Sequence, residues 1–291
     1  MRRIEATAGV HTRRMSRKKL AVGVVGLVVL VPIAAVAARG LQFRLDRIQI
    51  IYEGRVAVAP VASVLPGAEE IAYTANDGQR LKGWFLAAPN ASSVAVLFHG
   101  TGASRATMAP LAKRLQAADI SVFLAEYRGA ADSDGAPSET GLARDADAAL
   151  SEAEELTGLG NDRVVAVGHS LGTAVAVGLA NRHPLKGVVL IAPFTNLLDV
   201  TAVETNRLFA WLAAGPDRFD IVGTIAGIHA PLVIVRTEGD RIVPNAQSDR
   251  VMATAAQPKR VVTVAEGYPH ADPRFVGGPE AAAAVVSLAE T

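Results

Sequence analysis

Arg163-Val164-Val165-Ala166-Val167-Gly168-His169-Ser170-Leu171-Gly172-Thr173-Ala174-Val175-Ala176-Val177-Gly178-Leu179-Ala180 is the stretch that decides the fold. Its first part is a short apolar run rich in valine, which reads as a buried strand. Its last part is a run of small and apolar residues of helical length. Between them stands Gly-x-Ser-x-Gly, centred on Ser170. A strand that turns sharply into a helix at a serine is the frame of a nucleophile elbow. The serine backbone is strained there, and flanking glycines are needed because a Cβ would meet the neighbouring strand or helix. The hydroxyl then stands above the sheet at a helix N-terminus. The Leu171 N–H and the helix dipole favour an oxyanion at that point. The simpler alternative makes Ser170 an ordinary helix N-cap.

Serine is a poor nucleophile at neutral pH and needs a base, usually histidine, held in one tautomer by a carboxylate. In this topology the chain order is Ser, then acid, then His. Pro231 to Val235 reads as a strand followed by a turn-rich loop containing Asp240. Val261 to Val264 reads as the next strand, followed by Glu266-Gly-Tyr-Pro-His270-Ala-Asp272. Asp240 and His270 each fall just past the C-terminal end of a late strand, the edge where sites assemble in parallel sheets. Asp240 also suits a turn or a helix N-cap. Glu238 competes with it locally, and Asp199 competes from the loop after the strand Val188 to Ile191. His270 also suits a solvated loop. The other histidines fit the base less well. His11 precedes an apolar run, and His169 adjoins the serine with its side chain expected to point away. His183 ends a helix, and His229 sits at the wrong end of a strand.

Val94 to Phe98 reads as another buried strand, followed by His99-Gly100-Thr101-Gly102-Ala103-Ser104. A backbone N–H from such a loop supplies the second oxyanion donor, and glycine lets the chain approach the reacting carbonyl. The donors are assigned to Thr101 and Leu171. His99 is read as structural, its ring bonded within the loop. A dinucleotide site is the rival here, because Gly100-x-Gly102 follows a strand and Glu126 ends the next one. Arg105 stands at the third glycine position and breaks that fingerprint. No cofactor is expected.

These residues resemble the α/β-hydrolase superfamily, and within it the serine hydrolases called BEM46-like, with similarity to peptidase and lipase-like branches. The resemblance runs from about Glu69 to Pro273. It rests on Leu97-Phe-His-Gly100, Glu126-Tyr-Arg-Gly129, Ser133 to Gly141, Gly168 to Gly172, Ala192-Pro-Phe-Thr195, Asp240 to Pro244 and Gly267-Tyr-Pro-His270. It implies Ser170 as nucleophile, Asp240 as acid and His270 as base. The chain departs from the pattern at Glu126, where the family usually has Asp. Ala130-Ala131 replace a Tyr-Gly pair, and Thr101 replaces Asn. In this pattern Arg128 and Glu139 are structural, ordering the loop before a helix from Leu142 to Leu156.

Alternation of strand-like and helix-like stretches from 94 to 290 predicts a mostly parallel sheet covered by helices on both faces. The strands Ile71 to Thr74 and Leu81 to Leu86 flank Asn76-Asp77-Gly78, a hairpin signal, so the sheet begins antiparallel. The expected organisation is a basic N-terminus (1–19), a membrane anchor or signal core (20–38), a linker (39–68) and an α/β-hydrolase domain (69–291). Residues 194–230 are read as a small lid carrying Phe194, Leu197, Leu198, Phe209, Trp211 and Leu212. Packing of these side chains onto the core is the alternative.

The chain has no cysteine, which excludes disulfides and thiolate chemistry. No His-Glu-x-x-His pattern appears, so no metal site is expected. Leu20 to Ala38 is an uncharged apolar run that would span about 28 Å as a helix. Residues 1–47 hold ten basic and two acidic residues, leaving 19 of the 29 basic and 26 of the 28 acidic residues for the rest. Seven basic residues precede the run and only Arg39, Arg44 and Arg47 follow it closely, a bias that predicts the N-terminus inside and the domain exported. An acidic domain disfavours nucleic acid as a partner. Cleavage after Ala35-Val36-Ala37 is the competing reading of the leader, and it also exports the domain. The expectation is an exported, membrane-tethered serine hydrolase acting on small-molecule or lipid esters or thioesters. A peptidase and a non-catalytic binding protein on the same shell are the alternatives.

Overall fold

Apolar or alternating runs bounded by turns give eight strands among the described residues, β1 (Glu69–Thr74), β2 (Arg80–Leu86), β3 (Val94–Phe98), β4 (Ser121–Ala125), β5 (Val164–His169), β6 (Gly187–Ile191), β7 (Leu232–Thr237) and β8 (Lys259–Val264). The structure, a computed structural model, describes residues 56–204, 216–256 and 258–291. The strands form one sheet in the order β1-β2-β4-β3-β5-β6-β7-β8. Pairs β1–β2 and β2–β4 are antiparallel, and every other pair is parallel. The fold class read from the sequence is the one observed.

The central strands are buried along their whole length, as strands covered on both faces must be. Alternation divides their side chains between two layers. Val94, Val96 and Phe98 of β3 face one core with Leu142, Ala146, Val175 and Leu179. Ala95 and Leu97 face the other with Leu111, Leu115, Val285 and Leu288. Each fully buried Leu or Val contributes about 1.5–3 kcal/mol of transfer free energy, so both faces are needed to hold the sheet.

The chain leaves β3 toward β4 on one side and later places β5 on the other. This reversal opens a crevice at the C-terminal ends of β3 and β5, where open α/β sheets bind ligands. The loop 99–104 and Ser170 both sit there.

Three boundaries differ from expectation. The helix read from Leu142 begins at Glu139, because Ser138 Oγ accepts the Gly141 N–H at 3.0 Å, and it ends at Gly158 with φ of 69°. The folded body reaches beyond Glu69 toward the N-terminus, since Leu65, after the short helix Val61–Val64, is fully buried against the second core. At the lid, Phe194 and Leu197 are buried in the first core, and so are Phe219, Ile221 and Ile225. Phe209, Trp211 and Leu212 lie outside the described residues, as does the apolar run 20–38. Among the described residues no helix is long and apolar enough to cross a membrane.

Close backbone contact fixes the helix Leu171–Arg182 on the sheet. A Cβ at Gly172 would collide with the Phe98 carbonyl of β3, and one at Gly168 would collide with the Gly172 carbonyl. Gly172→Ala is therefore expected to destabilise by more than the usual ~1–3 kcal/mol of an overpacked site. Gly178→Ala on the same helix would meet only the flexible end of Arg182, at 3.2 Å. It is expected to gain up to about 1 kcal/mol from helix propensity. Urea denaturation of both variants checks this. Equal midpoints for Gly172→Ala and the parent chain would refute the close-contact account.

Candidate active site

Ser170 occupies the turn between β5 and the helix Leu171–Arg182 with φ of 51° and ψ of −118°. A positive φ is uncommon for a residue with a side chain and marks local strain. Surrounding contacts hold it. The Ser170 N–H donates to Ile191 O of β6 at 3.0 Å, and the Ser170 carbonyl accepts from Thr173 N–H at 2.9 Å and from Thr173 Oγ1 at 2.5 Å. Leu171 heads the helix, so its N–H has no carbonyl within the helix to bond.

Asp240 and His270, thirty residues apart, meet at this edge of the sheet. Asp240 Oδ2 and His270 Nδ1 are 2.7 Å apart, with side chains 2% and 7% exposed. Asp240 Oδ1 accepts the Ile242 and Val243 N–H groups at 2.9 and 2.8 Å. Those bonds satisfy one carboxylate oxygen and aim the other at the ring. Asp240 is therefore both a turn residue and the histidine's partner. A carboxylate that accepts from Nδ1–H leaves Nε2 as the ring's free lone pair. Neither competing acid takes that place. Glu238 is exposed, and Asp199 bonds Thr195 Oγ1 at 2.8 Å and Arg250 at 3.1 Å.

His169 plays a part that its position in the sequence does not announce. Its Nε2 donates to the His270 carbonyl at 3.0 Å, and the two rings lie 5.0 Å apart. Its ring borders Gly100, as Ser170 does, and is anchored on the backbone that carries His270. Burial pushes its imidazole down to about 3, and the neighbouring His270 adds to this. His169 is thus neutral and serves as a fixed strut.

The loop 99–104 closes the other side. A Cβ on Gly100 would lie 3.1 Å from Ser170 Cβ and 3.0 Å from His169 Nδ1, so glycine permits this approach. Thr101 and Leu171 line one narrow cleft of about 20 Å³, together with Gly102, Tyr127 and Ala130. Each of the five residues named from the sequence lies just past the C-terminal end of a strand, Thr101 after β3, Ser170 and Leu171 after β5, Asp240 after β7 and His270 after β8, and the contacts join Asp240 to His270 and set Gly100 against Ser170.

A buried ionic cluster lies beneath this loop. His99 Nε2 is 2.5 Å from Glu126 Oε1, and Glu126 Oε2 accepts the Arg105 N–H at 3.1 Å and Arg105 Nη1 at 3.0 Å. Arg105 Nη1 also donates to Asp132 at 2.7 Å, and its guanidinium lies 5.0 Å from the centre of the Trp84 ring. Glu126 and Arg105 are thus committed to the loop. His99 is structural, as expected, with Nδ1 bonded to Gly100 O at 2.8 Å. The signal for this cluster is the register of β3 on β4, which sets Phe98 beside Ala125 and so His99 beside Glu126. Arg128 and Glu139 are structural as well. Arg128 pairs with Asp145 and Asp77, and Glu139 accepts the Arg218 and Phe219 N–H groups at 2.6 and 2.9 Å.

Comparison with known proteins bears on the family and the fold. Residues 72–216 match the family described as Serine aminopeptidase, S33. The uncharacterized protein Rv2307c of Mycobacterium tuberculosis is 36% identical over 256 residues, covering 85% of this chain and 89% of its own. The alpha/beta hydrolase domain-containing protein WAV2 of Arabidopsis thaliana is 29% identical, covering 72% and 74%. Among solved structures, an alpha-beta hydrolase from Vibrio vulnificus superposes with a TM-score of 0.69 at 18% identity, covering 84% of this chain and 92% of its own. The Pyrococcus furiosus esterase Pf2001 gives a TM-score of 0.69 at 18% identity, covering 83% and 97%. Strand order, elbow and sequence relatives agree, and the chain belongs to the α/β-hydrolase superfamily.

Proposed function

We propose that this chain is a serine hydrolase of carboxylic esters, with lipid esters and thioesters in its range. The observation that carries the reading is the buried Asp240–His270 pair, placed at the same sheet edge as a serine held in a strained strand-to-helix turn. In this reading Ser170 Oγ attacks the acyl carbon while His270 Nε2 takes its proton. Asp240 keeps the ring in one tautomer and stabilises the imidazolium. The tetrahedral oxyanion is held by the Thr101 and Leu171 N–H groups. Collapse breaks the bond to the leaving alcohol or thiol, which takes the proton from His270. Water, deprotonated by the same nitrogen, then attacks the acyl-serine and releases the acid and the free serine.

The likeness to the Pyrococcus furiosus esterase supports ester chemistry, and the match to an aminopeptidase family keeps amide hydrolysis as the second reading. Both use the same three side chains and differ in pocket shape. We also place the domain outside the membrane, tethered through residues 20–38, on the strength of the apolar run and its basic flank.

Ser170→Ala is expected to abolish aryl-ester hydrolysis to below about 1% of the parent rate with an unchanged melting temperature. It is also expected to lose labelling by a fluorophosphonate. Retention of more than a few per cent of activity removes Ser170 from the mechanism. Asp240→Asn is expected to lower kcat by about 10⁴-fold, measured on the same substrate. Comparing aryl esters with aminoacyl amides separates the two substrate readings. For the tether, the full-length protein is expected to stay with membranes through an alkaline wash. A soluble product beginning near Ala38 would instead establish cleavage.

A further inference from the structure

We propose that His99 is a doubly protonated positioning residue, an imidazolium locked between Glu126 and Gly100 that turns and polarises the Gly100–Thr101 peptide. The inference rests on the ester-hydrolase reading for its effect on rate, but not for the charge on the ring. Its basis is the partner of each ring nitrogen. Nδ1 faces the Gly100 carbonyl at 2.8 Å. A carbonyl oxygen only accepts, so Nδ1 carries a proton. Nε2 faces Glu126 Oε1 at 2.5 Å. The carboxylate's other oxygen already accepts two Arg105 donors, at 3.1 and 3.0 Å. Burial alone would push the Glu126 carboxyl up. The two Arg105 donors on Oε2, one of them from the guanidinium, oppose that and hold the carboxylate ionised. An ionised Glu126 has no proton to give, so Nε2 carries its own.

The other charged groups agree with this assignment. Arg105 faces Glu126 and Asp132, with Glu70 at 3.5 Å, and Lys82 bridges Glu70 and Asp132 at 3.0 Å each. With His99 cationic, three positive groups balance three carboxylates. With His99 neutral, Glu126 would keep an uncompensated share of charge in a site where it is fully buried.

The consequence follows from amide geometry. Gly100 C=O and Thr101 N–H are the two ends of one planar trans peptide, so they point in opposite directions. The ring that grips the oxygen therefore fixes the N–H on the side away from itself. Withdrawing electron density at the oxygen also makes the N–H a stronger donor. Gly100 packs against Ser170, and Thr101 shares its cleft with Leu171. The positive ring thus backs the donor meant for the oxyanion, with its counter-charge on the far side. This gives a specific role to Glu126. Its carboxylate keeps the ring charged, and Tyr127 Oη, donating to the His99 carbonyl at 2.9 Å, holds the same residue's backbone.

Two measurements on the full-length protein test the proposal. The first is long-range proton–nitrogen NMR of ¹⁵N-histidine protein at neutral pH, with His99→Gln identifying the resonance. The expected spectrum shows both His99 nitrogens bearing a proton. One bare nitrogen overturns the proposal, whatever the enzyme does. The second is steady-state hydrolysis of p-nitrophenyl butyrate. Glu126→Gln is expected to lower kcat by about 10- to 100-fold with KM within about twofold, and Glu126→Asp, which keeps the charge, to recover most of the rate. Equal losses in both variants, folded by circular dichroism, would assign Glu126 to packing and overturn the electrostatic role. If the parent chain hydrolyses no ester, the functional reading and the rate effect fall together, while the NMR result still decides the charge. If Glu126→Gln does not fold, the parent spectrum decides in the same way.

Discussion

The structure depends on how closely one helix approaches the sheet. The helix Leu171–Arg182 meets β3 and β5 through main-chain atoms, because Gly168 and Gly172 leave no side chain between them. At that separation the chain has one way to pass from β5 into the helix, and Ser170 takes the positive φ that the passage requires. Ser170 and Leu171 inherit their positions from this turn. The same approach puts the head of the helix beside the loop after β3, so Leu171 and Thr101 come to border one cleft. The strain at Ser170 is held by a hydrogen bond donated to β6 and by two accepted from the first turn of the helix, not by the serine's own preference.

The second constraint is the order of strands. Because β4 and β5 lie on opposite sides of β3, the loops after β3 and β5 are left facing an open crevice. Strands β7 and β8 extend the parallel run, so the loops that follow them reach the same edge. Asp240 and His270 are brought together by this topology and by the Asx-type turn that anchors Asp240. Their distance along the chain has no bearing on it. His169 then ties the β8 loop to the elbow through the His270 carbonyl. The candidate base is therefore held from two sides, by a carboxylate on its ring and by a neutral imidazole on its backbone.

Much of this was legible in the sequence because it is local. Buried parallel strands announce themselves as continuous apolar runs, and Gly168 and Gly172 mark a close approach that no larger residue permits. The Ser, Asp and His order along the chain supplies three of the five candidate site residues without knowledge of the packing. Other features were hidden for physical reasons. Arg105 breaks a glycine fingerprint when read by spacing, and its partner Glu126 becomes visible only once β3 and β4 are in register. Leu65 belongs to the core although it lies in the turn between a four-residue helix and β1, since a single buried side chain leaves no period to detect. Ala131 and Ala192 adopt positive φ, at 44° and 53°, where the residue type gives no warning. In each case the environment overrides the residue's own preference, and the sequence records only the preference.

The ionic cluster under the loop invites a stability argument, but physics points elsewhere. Removing charges from water costs several kcal/mol per ion, and a buried pair is often no better for stability than well-packed apolar side chains. Glu126, Arg105 and His99 are nearly inaccessible, so the full desolvation cost applies to them. An apolar version of this layer would suit the adjacent core, where Trp84, Leu97 and Met108 already pack. What an apolar version could not do is grip a peptide oxygen. The loop 99–104 has glycine at two of its six positions and no regular structure until the 3₁₀ turn at Arg105. Its backbone would otherwise be free to rotate the Gly100–Thr101 amide. A directional donor fixed by a carboxylate and a guanidinium removes that freedom, because hydrogen bonds specify orientation and apolar contact does not. The cluster is better understood as the element that sets the orientation of one peptide than as a source of stability.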